Sequence, residues 1–141
     1  MEAMVDMAMH AGGRPVALKD IARRQGISPN YLEQIFAQLR AAGFVRSLRG
    51  AGGGFALGRS PSDIRMSEIA AVFEGSIDLI GCASDASTCG RSVTCAVRQV
   101  WVQVGECMNK VLESVTLQEL ADLQVRSEAG AAPTEHKKAG E

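Results

Sequence analysis

The run LKDIARRQGISPNYLEQIFAQLRAAG, residues 18–43, constrains this chain more than any other: two amphipathic segments are separated only by Gly26-Ile27-Ser28. In the first, Leu18, Ile21 and Ala22 share one side and Lys19, Arg23 and Arg24 the other, the spacing of a helix with one inward face. Ser28 suits the N-cap of a second helix and Pro29 its first position, since a serine oxygen satisfies an orphan N–H and proline has none to lose. That helix keeps Leu32, Ile35, Phe36 and Leu39 on one face, and Gly43 ends it as a left-handed cap. Two helices joined by a tight glycine turn read as a helix-turn-helix. The second presents Asn30, Tyr31, Glu33, Gln34 and Gln38 outward, and Ser28, Asn30, Tyr31, Glu33 and Gln34 are its expected DNA contacts. Amides and a carboxylate on a leading turn are the groups that read base edges in a major groove, although many helical bundles contain such a pair.

The glycine-rich segment next along the chain decides between these readings. FVRSLR alternates apolar and polar residues like a strand, GFAL reads as a second short strand, and Gly50, Gly52, Gly53 and Gly54 lie at the join beside Arg49. Glycines next to an arginine suit a backbone that approaches phosphate closely, either a nucleotide cofactor's or a nucleic acid's. A dinucleotide fingerprint needs a strand before the glycines, a helix after them and an acidic residue further on. Here Phe55-Ala56-Leu57 continues as strand and no Walker lysine is present beyond it. The run is therefore the wing of a winged helix-turn-helix, with Arg46 and Arg49 on its approach, Arg49 placed to enter a minor groove, and Gly52, Gly53 and Gly54 near the duplex. A flexible hairpin tip without any contact is the alternative. Charge favours the first: between Arg14 and Arg59 eight basic residues face two acids, a surplus of six in a chain whose formal net charge is −1. A localised basic segment is a footprint of nucleic-acid binding.

The expected fold is mostly α. Residues 1–75 form the winged helix-turn-helix with its two-stranded wing, opened by a helix over Met1 to Ala11 and closed by a helix that Ser67 caps. Residues 76–95 form a polar, small-residue loop carrying cysteines. Residues 96–125 hold a long C-terminal dimerisation helix and a short last helix, and residues 126–141 a disordered tail. In the long helix Val97, Trp101, Val104, Met108, Val111 and Val115 step by four, three, four, three and four, a heptad seam for packing on a twin. Such a stripe also occurs in ordinary cores; two-fold DNA readers favour the dimer. Thr116 and Glu119 form a capping box for the last helix. No apolar run reaches membrane-spanning length and the start has no leader pattern, so a cytoplasmic protein is expected. No enzyme is expected either: His10 and His136, the two histidines, stand in no base–nucleophile arrangement.

Cys82, Cys89 and Cys95 are separated by six and five residues in GCASDASTCGRSVTC. Zinc knuckles prefer closer pairs and a redox dithiol needs Cys-x-x-Cys. Three thiolates on a loop of small residues suit an iron–sulfur cluster; three unrelated thiols fit the spacing equally. Cys107 lies about 18 Å further along the helix and reads as a small apolar residue flanking the seam.

The stretch DIARRQGISPNYLEQIFAQLRAAGFVRSLRGAGGGFAL, the cysteine loop and VWVQVGECMNKVLESVTLQELA together resemble the IscR/NsrR/CymR group of winged-helix regulators, the Rrf-two family. The resemblance implies a homodimeric transcription regulator that binds double-stranded DNA. It implies Asn30, Glu33 and Gln34 at the major groove, and Arg49 with the wing glycines at the minor groove. It also implies Cys82, Cys89 and Cys95 as ligands of a cluster, two-iron or four-iron, that senses iron–sulfur status, redox state or nitric oxide. There are departures. The IscR-like branch has one residue fewer in the first cysteine gap, and a histidine where this chain has Arg98, which cannot ligate iron. In the nitric-oxide-sensing branch the fourth ligand resembles an aspartate from the partner's N-terminal segment; Asp6, Asp85 and His10 are the candidates within this chain. The family also carries a short segment ahead of the part matching Met1, so the start is expected to lie upstream. A cluster-free regulator controlled by thiol oxidation or a protein partner, as in the CymR-like branch, is the alternative. An electron carrier with an incidental helix-turn-helix is a more distant one.

Overall fold

A computed structural model describes residues 1–74 and 85–130. Among them, six α-helices and one two-stranded sheet form a winged helix-turn-helix with two further helices after it. The helices are α1 (Glu2–His10), α2 (Leu18–Gln25), α3 (Pro29–Ala41), α4 (Met66–Glu74), α5 (Ala96–Ser114) and α6 (Leu117–Gly130). Strands β1 (Val45–Leu48) and β2 (Gly54–Leu57) lie between α3 and α4, and single 3-10 turns cover Pro61–Asp63 and Ala86–Thr88.

Local chemistry sets the helix-turn-helix. Gly26 ends α2 at φ 63°, a left-handed conformation that glycine adopts without a Cβ clash. Two residues later Ser28 caps α3, its Oγ accepting from Tyr31 N–H at 3.3 Å, with Pro29 at N1. Gly43 takes φ 80° after α3, and the chain reverses into β1. The hairpin pairs antiparallel from Val45↔Leu57 to Leu48↔Gly54. Val16 forms an isolated bridge to β2: its N–H and C=O each bond Phe55 at 2.8 Å, tying the α1–α2 connection to the wing.

The core gathers Met4 and Met7 of α1, Ile21 of α2, Leu32, Phe36 and Leu39 of α3, Phe44, Val45, Ile64, Ile69 and Leu117. Phe36 is fully buried and meets Phe55 edge-on, ring centroids 4.8 Å apart. Burying such a ring contributes about 3 kcal/mol, and here it hangs the wing directly on α3. Leu117 reaches this core because the α6 N-terminus is stitched to the α4 N-terminus: Met66 N–H bonds Val115 C=O at 2.9 Å and Leu117 N–H bonds Ile64 C=O at 2.8 Å.

Three boundaries differ from the sequence expectation. Ser67 lies inside α4; the cap is made instead by Glu68, whose Oε2 accepts from Arg65 N–H at 2.8 Å. Val115 is extended, past the end of α5, so the helical seam stops at Val111. The last helix is not short: α6 continues to Gly130, past Arg126 where a disordered tail was expected. Gln118–Asp122 and Gln124–Glu128 hydrogen bonds, each 2.9 Å, bridge successive turns along it and stabilise a helix at this i,i+4 spacing. Residues 131–141 of that tail lie outside the described residues. The Thr116–Glu119 capping box is present: Glu119 Oε2 accepts from Thr116 N–H at 2.7 Å, and Thr116 Oγ1 accepts from Glu119 N–H at 3.2 Å. No helix among the described residues is long and apolar enough to cross a membrane.

Candidate nucleic-acid interface and thiol loop

The buried stripe of α3 fixes what its other face offers. With Leu32, Phe36 and Leu39 locked in the core, Asn30, Tyr31, Glu33, Gln34 and Gln38 point outward and are exposed, Tyr31 at 58%. The Ser28 side chain is used as the cap. Those of Asn30, Glu33 and Gln34 make no hydrogen bond or ion pair among the described residues.

The wing tip spans Arg49 to Gly53, closed by a Gly53 N–H to Gly50 C=O bond of 2.9 Å. Its glycines differ in purpose. Gly50 sits at φ 117°, and a Cβ on Gly53 or Gly54 would stand 2.5 Å from the Leu48 or Val16 carbonyl oxygen. Gly52 has neither reason: its φ is ordinary and an added Cβ would meet nothing within 4 Å. Arg46 and Arg49 are exposed on the same hairpin.

The basic segment is less uniform than its sequence. Arg24 is spent on Asp6. Arg59 pairs with Glu68 at 2.9 Å, reaches the Asp63 carbonyl at 3.3 Å and lies over the Phe44 ring at 5.1 Å. Arg23 pairs with Asp20 at 3.6 Å, in an exposed contact of small worth. Arg14, Lys19, Arg40, Arg46 and Arg49 form no ion pair among the described residues.

Of the three loop cysteines, Cys82 lies outside the described residues. Cys89 and Cys95 are half-buried free thiols on either side of the Gly90–Thr94 turn, and Cys95 is the N-cap residue of α5 with its sulfur in no capping bond. Among the described residues no three His, Cys, Asp or Glu side chains converge as a metal site. Asp85, on the loop itself, accepts from Ser87 N–H at 2.8 Å and Ser87 Oγ at 2.7 Å, bonds that hold its carboxyl below the usual range. Asp6 is not available as a ligand from within the same chain: it is buried and clasped by Arg24 and Gln25. His10 Nδ1 donates to the Asp6 carbonyl oxygen, 2.9 Å away.

Helix α5 has no buried residue. Val97 (64%), Trp101 (39%), Val104 (37%), Met108 (37%) and Val111 (62%) are exposed along one stripe. Val100, exposed and absent from the heptad reading, sits seven residues before Cys107 at the equivalent flanking position. Cys107 is exposed too, beside a shallow apolar groove with Met108, Val111 and Leu112.

Residues 1–123 match the Rrf2 family, described as iron-dependent transcriptional regulators. The chain belongs to the Rrf2 family. It is 42% identical over 118 residues to the HTH-type transcriptional regulator IscR of Photobacterium profundum, covering 84% of this chain and 68% of that one. Among solved structures, IscR of T. potens is 41% identical, with a TM-score of 0.72 over 94% of this chain and 85% of its own. CymR, the global cysteine regulator of B. subtilis, is 37% identical, with a TM-score of 0.72 over 85% of this chain and 88% of its own. Rrf2 proteins are DNA-binding transcription regulators, not enzymes.

Asp6, on the inward face of α1, receives Arg24 Nε at 3.1 and 2.8 Å on its two oxygens and Gln25 Nε2 at 3.0 Å, and Arg24 Nη2 also donates to Oδ1. Burial pushes this carboxyl up. The Arg24 and Gln25 hydrogen bonds, with the Arg24 and His10 charges, outweigh that and hold it below the usual carboxylate range. The signal in the sequence is a lone acid at position 6 between Ala3, Met4 and Met7, all inward.

Proposed function

We propose that this Rrf2 chain acts as a homodimer whose two α3 helices enter successive major grooves of an operator, under the control of an iron–sulfur cluster held by Cys82, Cys89 and Cys95. The observation that carries the DNA geometry is the polar face of α3, exposed and free of partners among the described residues, on a helix whose buried face also anchors the wing through Phe36 and Phe55. The leading turn carries Asn30, Tyr31, Glu33 and Gln34 to base edges, where helix-turn-helix proteins read sequence. Arg49 enters the minor groove beside it. Gly52, a glycine that the fold does not need, leaves the tip without a side chain where backbone meets the duplex. The α5 stripe Val97–Val111 joins two copies, so that two reading heads match a two-fold operator.

The thiol loop fits a cluster in its donor chemistry. Cys89 and Cys95 are free, partly accessible and not engaged in capping, with the small residues Gly90, Ser92 and Thr94 between them. When bound, the cluster supplies a centre whose oxidation, loss or nitrosylation changes the ligand loop. Because Cys95 is the N-cap of α5, a change in its position is passed into the dimer helix, and from there to the spacing of the two α3 helices. Anaerobic purification of the full chain, with iron, sulfide and visible absorbance measured, tests this. Brown protein with stoichiometric iron and sulfide is expected, lost in Cys95→Ser. Colourless, iron-free protein after reconstitution, with oxidant-reversible disulfides, would move the reading to thiol control; the likeness to CymR favours that second reading.

The wing is tested separately. Arg49→Ala, which removes one cation from each wing of the dimer, is expected to weaken operator binding at least about tenfold at moderate salt and to lower the slope of log K against log salt by about two. Unchanged affinity and slope would remove Arg49 from the interface.

A further inference from the structure

We propose that Asn30 is a specificity-determining residue that selects adenine at one position of each operator half-site; this rests on reading α3 as the major-groove helix. Asparagine in the first turn of a helix usually serves the backbone, as a cap or a local turn. Here that task is taken, because Ser28 Oγ already accepts the Tyr31 N–H and Pro29 fills N1. Asn30 comes next at N2, exposed, and its carboxamide has no partner among the described residues. The fold therefore gains nothing from an amide at this position, where many better helix formers would serve.

An unengaged carboxamide at the entering end of the helix has one well-matched partner in the groove. It presents one acceptor and one donor side by side in a plane. In the major groove adenine alone offers the complement within a single base, the N7 acceptor next to the N6 amino donor. Guanine shows two acceptors there, and cytosine a lone amino donor. The short Asn side chain makes the leading turn necessary, since that turn lies deepest in the groove. A phosphate contact is the competing use of the same amide, and it carries no sequence preference.

The experiment is selection from a randomised duplex library with the full chain, then affinity measurements on single-base variants of the selected site. Wild type is expected to enrich a motif with a fixed adenine in each half-site. Asn30→Ala should lose the preference at that position alone, with about tenfold or greater loss on the wild-type site. Asn30→Asp, which suits the first helical turn and so keeps the fold, should shift the preference there to cytosine, whose amino group a carboxylate accepts. An unchanged motif in both variants overturns the proposal, whether affinity is kept or falls uniformly across sequences as for a lost phosphate contact. Failure of wild type to enrich any motif would overturn it too, together with the groove assignment of α3, and is thereby distinguished from failure of Asn30 alone.

Discussion

Arg24→Ala is expected to destabilise the protein by about 3 kcal/mol at neutral pH, the scale for removing one partner of a buried ion pair. The substitution strips three of its four side-chain hydrogen bonds from an Asp6 carboxylate that is 1% exposed in the wild-type protein. Arg24 is itself 28% exposed, so the reverse change, Asp6→Asn, strands a guanidinium that water can still reach and should cost less. The pair joins α1 to the C-terminal end of α2, the helix that sets the pitch of α3. The loss is therefore expected to be global, seen as one lower transition in thermal melting at fixed protein concentration. Equal stability of Arg24→Ala and wild type would show that α1 packing alone holds the two helices together.

The same pair predicts how the difference varies with pH. Asp6 has a folded-state pKa below its unfolded value, so wild type holds this contribution above the ordinary carboxylate range near 4. It loses the contribution as pH falls through the depressed folded value. In Arg24→Ala burial acts on an unpaired carboxylate and raises its pKa, so protonation relieves that variant as pH falls. The gap between the two proteins should be about 3 kcal/mol at pH 7, narrow as pH falls through the ordinary carboxylate range, and close only below the depressed folded pKa of wild-type Asp6. A gap independent of pH would mean that Arg24 acts through packing of its aliphatic stem.

The parts of this molecule that are legible in sequence are those fixed by neighbours in the chain. Gly26, Ser28 and Pro29 specify a turn by local backbone chemistry, and Thr116 with Glu119 specify a cap in the same way. Both are present as expected. The wing is legible because Gly50 answers a left-handed φ and Gly53 a close approach to Leu48 and Gly50, each within a few residues of itself; Gly54 instead answers Val16, far upstream in the chain. What escapes the sequence depends on partners distant along it. The surplus of basic residues over 14–59 looks like one surface, yet Arg24 is consumed eighteen positions upstream by Asp6, and Arg59 by Glu68 and Phe44. Ser67 is a plausible cap on composition alone; Glu68 takes the role because a carboxylate three residues into a helix can reach back to the preceding N–H. The heptad spacing runs one step past the helix, since Val115 keeps the period while its carbonyl is held in a bridge to Met66.

On the proposed homodimer, Val104→Asp is expected to give a monomer at micromolar concentration and to reduce operator affinity at least about a hundredfold. Val104 stands midway along the apolar stripe of α5, with Val97 and Trp101 before it and Met108 and Val111 after it. In one protomer it is 37% exposed, on a helix that has no buried residue, so a carboxylate there is solvated and the protomer should fold normally. Across a two-fold seam the substitution is made twice, and two anions must lose water in an apolar contact without a partner, at a cost of several kcal/mol each. The dimer cannot offset that from the methyl packing that remains. Operator binding weakens with it because a second half-site held in the same particle binds at a high effective concentration, an advantage of about a hundredfold to ten-thousandfold that a monomer forfeits without any change to α3 or the wing. Sedimentation and DNA binding by anisotropy measure the two effects. Val104→Leu, which keeps an apolar side chain at the seam, should preserve both. A Val104→Asp protein that remains dimeric with full affinity would show that copies meet through another face and leave the α5 stripe unexplained.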